Sequence, residues 1–218
     1  MRGSTPYEDQ VDRYDRWFER NRAAYLSELA AVRSLTPPFR LGLEVGVGTG
    51  RFAAPLGVSV GLDPSLPMME VARERGVLCV RGVAERLPFR DGAFDLLLMV
   101  TVDFLLRERA VAFQEAERVL AAGGSIVVGF IDGDSPLSRR YEAEKGRDGG
   151  GEDDRGGFYG DARFLSSEEM ASLLKGAGFG DLAFAETLFS EPEDMIYLEP
   201  PIPGCGRGSF VVVRAERL

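Results

Sequence analysis

Two spacings of apolar residues alternate along the chain, and this alternation predicts an α/β fold. Helical spacing at 65–76 and 107–120, for example, separates short runs that are nearly all apolar. Apolar strands that alternate with helices are typical of a parallel sheet covered on both faces. We therefore expect an α/β, doubly wound, seven-stranded, mostly parallel sheet with flanking helices and an antiparallel last strand. The predicted strands are 41–45, 58–63, 77–80, 94–100, 125–131, 180–189 and 207–214.

The N-terminal segment has helical spacing of its own. Aromatic and aliphatic residues recur through 7–34, which predicts two helices with a break near Asn21. A capping-box order at 5–8 would start the first helix. We expect residues 1–36 to form a helical cap on a single domain spanning 1–218.

The first predicted strand runs directly into a glycine turn. Gly46, Gly48 and Gly50 let the backbone turn tightly and approach a ligand closely. A helix that begins at Arg51 would aim its free N–H groups at whatever lies over the turn. The turn is therefore a candidate nucleotide or nucleoside site.

The residues around the turn distinguish between ligands. A dinucleotide fingerprint needs a third glycine where Arg51 stands, and a phosphate loop ends in Gly-Lys-Ser/Thr, so neither pattern is present. Glu44 before the turn would repel a pyrophosphate but can accept from an ammonium group. Asp63 ends the second strand, where a doubly wound sheet places the acid that holds ribose hydroxyls. A ligand with a ribose, an ammonium group and no phosphate is S-adenosyl-L-methionine (SAM). A protein that binds NAD instead, as a dehydrogenase does, is the less favoured alternative.

Four blocks in fixed order carry a family resemblance. They are 44–50, 61–65, 82–89 together with 94–100, and 118–125, and they lie within residues 40–131. In this order the blocks resemble the class I SAM-dependent methyltransferases, of the small-molecule type related to the ubiquinone and menaquinone C-methyltransferase group. The resemblance implies methyl transfer from SAM to a small-molecule acceptor.

The resemblance also implies which residues hold the cofactor. The acid before the turn should face the ammonium group, and Asp63 should bind the ribose. The backbone of Ala84 should frame the adenine, on which Met68 could pack or else fill core. Val83 stands where the family commonly has an aspartate, so Glu85 or a backbone carbonyl must replace it. The expected cofactor residues are Glu44, Gly46, Gly48, Gly50, Asp63, Pro64, Ser65, Met68, Ala84, Glu85 and Thr101.

The acceptor side is assigned partly by the same resemblance and partly by position. The family uses its N-terminal segment as a flap over the methyl group, so Tyr14 and Trp17 are expected to contact the acceptor. Phe130 at the carboxyl end of the fifth strand and Tyr159 in the insertion that follows it are expected to do so as well. Asp103 is the candidate catalytic base, with an N-cap of the next helix as the alternative. The insertion at 132–165 is expected to act as a lid, or else to be a surface loop.

Composition narrows the chemistry and the partners. The chain has 218 residues and a net charge of -9, so we expect no nucleic-acid partner. It has no histidine, so any general base must be a carboxylate or a tyrosine. Two distant cysteines make neither a disulfide framework nor a metal site. No apolar run is long enough to cross a bilayer, so we expect no membrane partner and a cytoplasmic protein. A SAM-binding protein without transferase activity, such as a sensor or partner subunit, is the functional alternative.

Overall fold

The computed structural model describes residues 11–143 and 162–218, which form helices around one sheet. The strands are β1 Gly42–Val45, β2 Val60–Asp63, β3 Leu78–Arg81, β4 Phe94–Val100, β5 Leu120–Ile131, β6 Phe179–Thr187, β7 Ile202–Pro203 and β8 Phe210–Arg217. The α-helices are α1 Val11–Arg20, α2 Arg22–Leu35, α3 Ala53–Leu56, α4 Leu66–Glu74, α5 Arg109–Val119, α6 Pro136–Ala143 and α7 Ser167–Gly176. A 3₁₀ turn, Asp103–Leu105, follows β4.

The sheet has the expected doubly wound topology. Its order is β3-β2-β1-β4-β5-β8-β6-β7, with β1 to β5 parallel and β8 antiparallel to both neighbours. The described residues form eight strands rather than seven. The additional strand, β7, pairs briefly with β6 inside the predicted crossing loop, and Pro203 limits it because proline lacks the N–H that a longer ladder needs.

The sheet separates two hydrophobic clusters, and β4 contributes to both. Leu96 and Leu98 lie in one cluster with α1 and α2, whereas Leu97 and Met99 lie in the other with α5 and α7. This alternation follows from the two-residue period of a strand. It leaves all of β4 from Leu96 to Val100 buried, as expected of a central strand.

The carboxyl ends of four parallel strands lie side by side. Chain order reverses between β1 and β4, and such a reversal is where open α/β sheets have the crevice that binds ligands. At the end of β5, Asp132 accepts hydrogen bonds from the N–H of Asp134 and from both the N–H and hydroxyl of Ser167, so it joins this edge to α7.

Several expected elements differ in detail. The N-terminal helices break at Asn21 as predicted, whereas their capping-box start lies outside the described residues. The helix after the glycine turn begins at Ala53 rather than Arg51. The fifth strand begins at Leu120 and is interrupted at the predicted glycine turn. Gly123 has a φ of 71°, and the pairing with β4 passes from Phe94–Leu120 to Leu96–Ser125, so residues 121–124 leave the ladder. No α-helix in the described segments has both the length and the apolar character of a membrane span.

Candidate cofactor and acceptor site

The packing of the protein itself contributes to the need for glycine in the turn. Gly46, Gly48 and Gly50 have φ values of 74°, 51° and 81°, in the left-handed region. A Cβ atom added to Gly46 would lie 2.5 Å from Cγ1 of Val102. Packing therefore explains the glycine at 46, and the turn presses directly against the loop that follows β4.

Asp63 lies at the end of β2, as predicted, and its carboxylate joins two loops. Its Oδ2 accepts from the N–H of Gly48 at 2.9 Å, and its Oδ1 accepts from the N–H of Ser65 at 2.8 Å. Burial raises the pKa of Asp63 above its ordinary value, while these two hydrogen bonds oppose the rise. The residue expected to hold the ribose therefore also fixes the glycine turn to the start of α4.

Glu44 is buried at the end of β1 with one oxygen unsatisfied. Its side chain is 2% exposed, and Oε2 has no hydrogen-bond partner. Burial raises the pKa of Glu44 to about 8; the N–H of Ala53 opposes this, and the negative charge of Asp63 adds to it. A buried carboxylate oxygen without a donor is the feature that a ligand ammonium group would satisfy.

The expected adenine residues lie around the loops after β2 and β3. Met68 and Ala84 are buried, whereas Val83 is exposed. Glu85 directs one carboxylate oxygen, Oε1, away from the adenine side, where it accepts from the N–H of Arg107 at 2.8 Å. The side-chain replacement for the missing aspartate stays a prediction that would use the other oxygen. The neighbouring Pro64 presents its carbonyl to Arg81 Nε at 2.9 Å.

The loop after β4 contains two unusual residues. Thr101 has a φ of 52°, which is strained for a residue with a branched side chain. Asp103 is 2% exposed, and neither carboxylate oxygen has a hydrogen bond of good geometry. The N-cap of α5 is Glu108, so the alternative in which Asp103 caps that helix is wrong. Burial raises the pKa of Asp103 to about 7, against the positive charge of Arg109.

The predicted acceptor residues are not all in one place. The hydroxyl of Tyr14 lies 3.4 Å from the position of a Cβ on Gly48, so this side chain lies over the glycine turn. Trp17 is buried against Phe18, with ring centroids 5.3 Å apart. Phe130 is fully buried in the cluster on the α5 side, so a molecule in the crevice cannot touch it without rearrangement. Tyr159 and most of the predicted lid lie outside the described residues.

Asp15 on α1 is a site residue that the sequence analysis missed. Its carboxylate accepts from Thr49 Oγ1 at 2.7 Å, from Arg51 Nε at 2.9 Å and from the guanidinium of Arg75. Burial alone would raise the pKa of Asp15, but hydrogen bonds from the two arginines and Thr49 outweigh it and lower the pKa to about 2. No local motif marks Asp15, because each of these partners is more than 30 residues away.

Three aromatic side chains were also missed as a group. Phe104 follows β4, and its ring centroid lies 5.8 Å from that of Phe164. Phe164 in turn lies 6.2 Å from Tyr141 on α6. These rings join the loop after β4 to both ends of the segment that was predicted to be a lid.

Comparison with known proteins gives a consistent family. A methyltransferase-domain model matches residues 43–128, which include the glycine turn and β4. A crystal structure of a SAM-dependent methyltransferase from Thermotoga maritima, described as a "possible histamine N-methyltransferase", is 44% identical, covers 98% of each chain and has a TM-score of 0.91. An uncharacterised protein of Methanocaldococcus jannaschii is 38% identical over 97% of this chain and 98% of its own.

A shorter match comes from a demethylmenaquinone methyltransferase of Roseiflexus castenholzii, which is 40% identical over 44% of this chain and 45% of its own. The family model and the Thermotoga structure indicate an enzyme that uses SAM, and the doubly wound sheet agrees with them. The unsatisfied Oε2 of Glu44 beside the glycine turn fits the ammonium group of that cofactor. This chain therefore belongs to the class I SAM-dependent methyltransferases.

Proposed function

We propose that this methyltransferase acts on a small-molecule acceptor, which it binds in the crevice at the carboxyl ends of β1, β2 and β4. The observation that carries the proposal is the row of buried carboxylates along this edge, at Glu44, Asp63 and Asp103. Such a row favours a cationic cofactor and a compact reactant over a polyanion. The net charge of -9 acts in the same direction.

The proposed cofactor contacts follow from the acceptor lone pairs of the site that no donor of the protein occupies. The Oε2 of Glu44 accepts from the ammonium group, and Asp63 accepts from the ribose hydroxyls with the lone pairs that its two N–H partners leave free. The turn at Gly46, Gly48 and Gly50 supplies backbone contacts, and Thr101 approaches the cofactor from the loop after β4. Around the adenine we propose Pro64, Ser65, Met68, Ala84 and Glu85, the last through its backbone or through Oε2, since its Oε1 accepts from the N–H of Arg107.

When bound, SAM supplies a methyl group on a sulfonium that already activates it for in-line displacement. The tasks of the protein are therefore to align the acceptor, to exclude water and to receive a proton. We assign the proton to Asp103, whose two oxygens have no hydrogen bond of good geometry and whose pKa of about 7 suits a base near neutral pH. Tyr14 lies over the turn and is proposed to contact the acceptor, with Tyr159 from the lid segment.

Trp17 and Phe130 have a different place in the proposal. Both are buried in the hydrophobic clusters, so we assign them to the walls that hold Tyr14 and the end of β5 in position. The lid proposal for 132–165 gains one supporting observation: Phe164 and Tyr141, which flank the undescribed part, pack against each other beside Phe104.

The acceptor class is supported by two relatives. The Thermotoga protein is described as a possible histamine N-methyltransferase and the Roseiflexus protein as a demethylmenaquinone methyltransferase, and both names denote small molecules. A relationship to the quinone C-methyltransferase group is proposed on the second match, which spans less than half of either chain.

The test is a transfer assay with SAM labelled on its methyl group. The acceptor panel should contain imidazole and alkyl amines, reduced quinones, and tRNA as the polyanion arm. Label in a small molecule, with S-adenosylhomocysteine formed in equal amount, is the expected result. Label in tRNA or protein, with none in the small molecules, would overturn the acceptor class.

A further inference from the structure

An ion cluster on the outer side of the glycine turn connects three elements that are separate in sequence. Asp15 lies on α1, Arg51 directly follows the turn, and Arg75 is the C-cap of α4. Arg51 gives Asp15 a two-point contact, with Nε at 2.9 Å and a terminal nitrogen at 2.8 Å, and it also pairs with Glu19 at 2.8 Å. Two carboxylates and two guanidinium groups thus balance each other within the cluster. We call Asp15, Glu19, Arg51 and Arg75, with Thr49, the cap clasp.

The cap clasp includes direct contacts with Thr49, which belongs to the glycine turn itself. The hydroxyl of Thr49 donates to Asp15 at 2.7 Å, and the carbonyl of Thr49 accepts from Arg75 at 2.6 Å. On the opposite side, the preceding residue, Gly48, donates its N–H to Asp63 at 2.9 Å. The turn is therefore held from the sheet by Asp63 and from α1 by Asp15.

The contacts of the cap clasp are shielded from water. The side chains of Asp15, Arg51 and Arg75 are 22%, 14% and 28% exposed, so their attraction is less screened than that of a fully exposed pair. The guanidinium of Arg51 also lies 5.3 Å from the ring centroid of Phe18, which adds an attraction between α1 and the turn.

Tyr14, the residue next to Asp15, is the side chain whose position depends on the cap clasp. Tyr14 lies over Gly48, so fixing Asp15 to Thr49 and Arg51 also fixes Tyr14 relative to the turn. We propose that Asp15 is a positioning residue, which closes α1 over the cofactor and sets Tyr14 against the reacting end. The effect on Tyr14 rests on its proposed place at the acceptor, whereas the effect on cofactor retention rests only on the cap clasp and the turn.

The test uses the whole chain and S-adenosylhomocysteine as the probe, so it needs no acceptor. Asp15→Asn preserves the shape of the side chain and removes the charge that two arginines share. Asp12→Asn makes the same charge change at an exposed position of the same helix and is the matched control. We expect Asp15→Asn to weaken binding about tenfold in titration calorimetry, because the closed cap becomes less populated. The control should stay within about twofold.

A spectroscopic measurement separates positioning from simple stabilisation. The chain has one tryptophan, Trp17, and it lies two residues after Asp15 on the same helix. Acrylamide should quench its fluorescence more in Asp15→Asn than in the parent. Because Trp17 is already buried in the parent, the probe should change its quenching little there and should reduce the additional quenching of the variant.

Arg51→Lys keeps the positive charge but loses the two-point contact, and it provides a second variant if Asp15→Asn fails to fold. We expect about threefold weaker binding for it. The positioning role alone is overturned if the parent binds the probe and Asp15→Asn or Arg51→Lys binds it with an affinity within about twofold of the parent's, with equal quenching of Trp17. A parent that does not bind overturns the proposed cofactor contacts instead.

Discussion

Asp63 holds the N–H of Gly48 at 2.9 Å, so the acid at the end of β2 supports the loop over which the cofactor must lie. The other oxygen holds Ser65 at 2.8 Å and thereby starts α4. The same carboxylate thus serves the architecture of the site before it meets a ligand. This double role separates Asp63 from an acid that only contacts a ribose.

The first prediction follows from that double role. Asp63→Ala should lose about 1.5–3 kcal/mol of S-adenosylhomocysteine binding, because a charge-assisted hydrogen bond to the ribose disappears. It should also lower the free energy of unfolding by about 1–3 kcal/mol, because two buried N–H groups lose their acceptor. Calorimetry and denaturant unfolding measure the two effects, with the exposed Asp194→Ala as control. Binding within about twofold of the parent would mean that Asp63 is not the ribose ligand.

The second prediction concerns proton release at Glu44. Its pKa of about 8 in the folded protein keeps the carboxyl neutral at pH 7, whereas an ammonium group favours the ionised form. Binding of S-adenosylhomocysteine near pH 7 should therefore release a proton, and affinity should rise as pH increases toward 8. Calorimetry in two buffers of different ionisation enthalpy counts that proton. Glu44→Gln should release none, and equal release by parent and variant would contradict the assignment.

The raised pKa of Glu44 also makes the free energy of unfolding depend on pH, and the direction of that dependence follows from the pKa. Between the ordinary pKa of 4.5 and the folded value of about 8, the unfolded chain has Glu44 ionised while the folded chain keeps it protonated. The folded state then binds more protons, so the contribution of Glu44 to stability falls as pH rises through this interval. Asp103 acts in the same direction up to about 7. Glu44→Gln should flatten the decline, as denaturant unfolding at pH 5 and pH 8 would measure.

The elements that could be predicted are those whose signal is local. β4 was predicted with its observed bounds, because its nearly continuous apolar run begins and ends at the same residues as the strand. The break at Asn21 and the acid at the end of β2 were equally readable, since each depends on neighbours in sequence. β7 was missed because a two-residue edge strand leaves no periodicity to detect.

The parts of the site that could not be predicted depend on distant partners. Asp15 looks like any polar residue of an amphipathic helix until folding brings Thr49 and Arg75 to it. In the sequence analysis Arg51 began a helix and excluded a dinucleotide turn, whereas in the structure its side chain also binds Asp15 of α1. Glu85 was assigned to the adenine because Val83 stands where the family commonly has an aspartate, and nothing in the sequence shows that its Oε1 accepts from the N–H of Arg107.

The third prediction tests the proposed base. Asp103→Asn should lower kcat by about 10²–10⁴ once an acceptor is in hand, and leave S-adenosylhomocysteine affinity unchanged. In the parent, kcat should rise with pH through about 7, because the base must be ionised, and this limb should vanish in the variant. Asp134→Asn is the exposed control near the same crevice. A variant that keeps both the rate and the pH limb would remove Asp103 from the mechanism.

The fourth prediction separates two costs of replacing a turn glycine. Gly46 and Gly57 have similar φ values, 74° and 77°, but a Cβ on Gly46 would lie 2.5 Å from Val102 whereas one on Gly57 meets nothing within 4 Å. Gly57→Ala should therefore destabilise the fold by about 1 kcal/mol, the cost of the left-handed backbone alone. Gly46→Ala should cost about 1–3 kcal/mol more, because the loop after β4 must move.

A double-mutant cycle completes that comparison. Val102→Ala removes the methyl groups that a new Cβ on Gly46 would strike, so Gly46→Ala should cost less in its presence than alone. Gly57→Ala should cost the same in either background, since no contact connects it to Val102. Denaturant unfolding of the set measures each term. If Gly46→Ala and Gly57→Ala cost the same, with no coupling to Val102, the close approach between the glycine turn and the end of β4 is not what requires glycine at position 46.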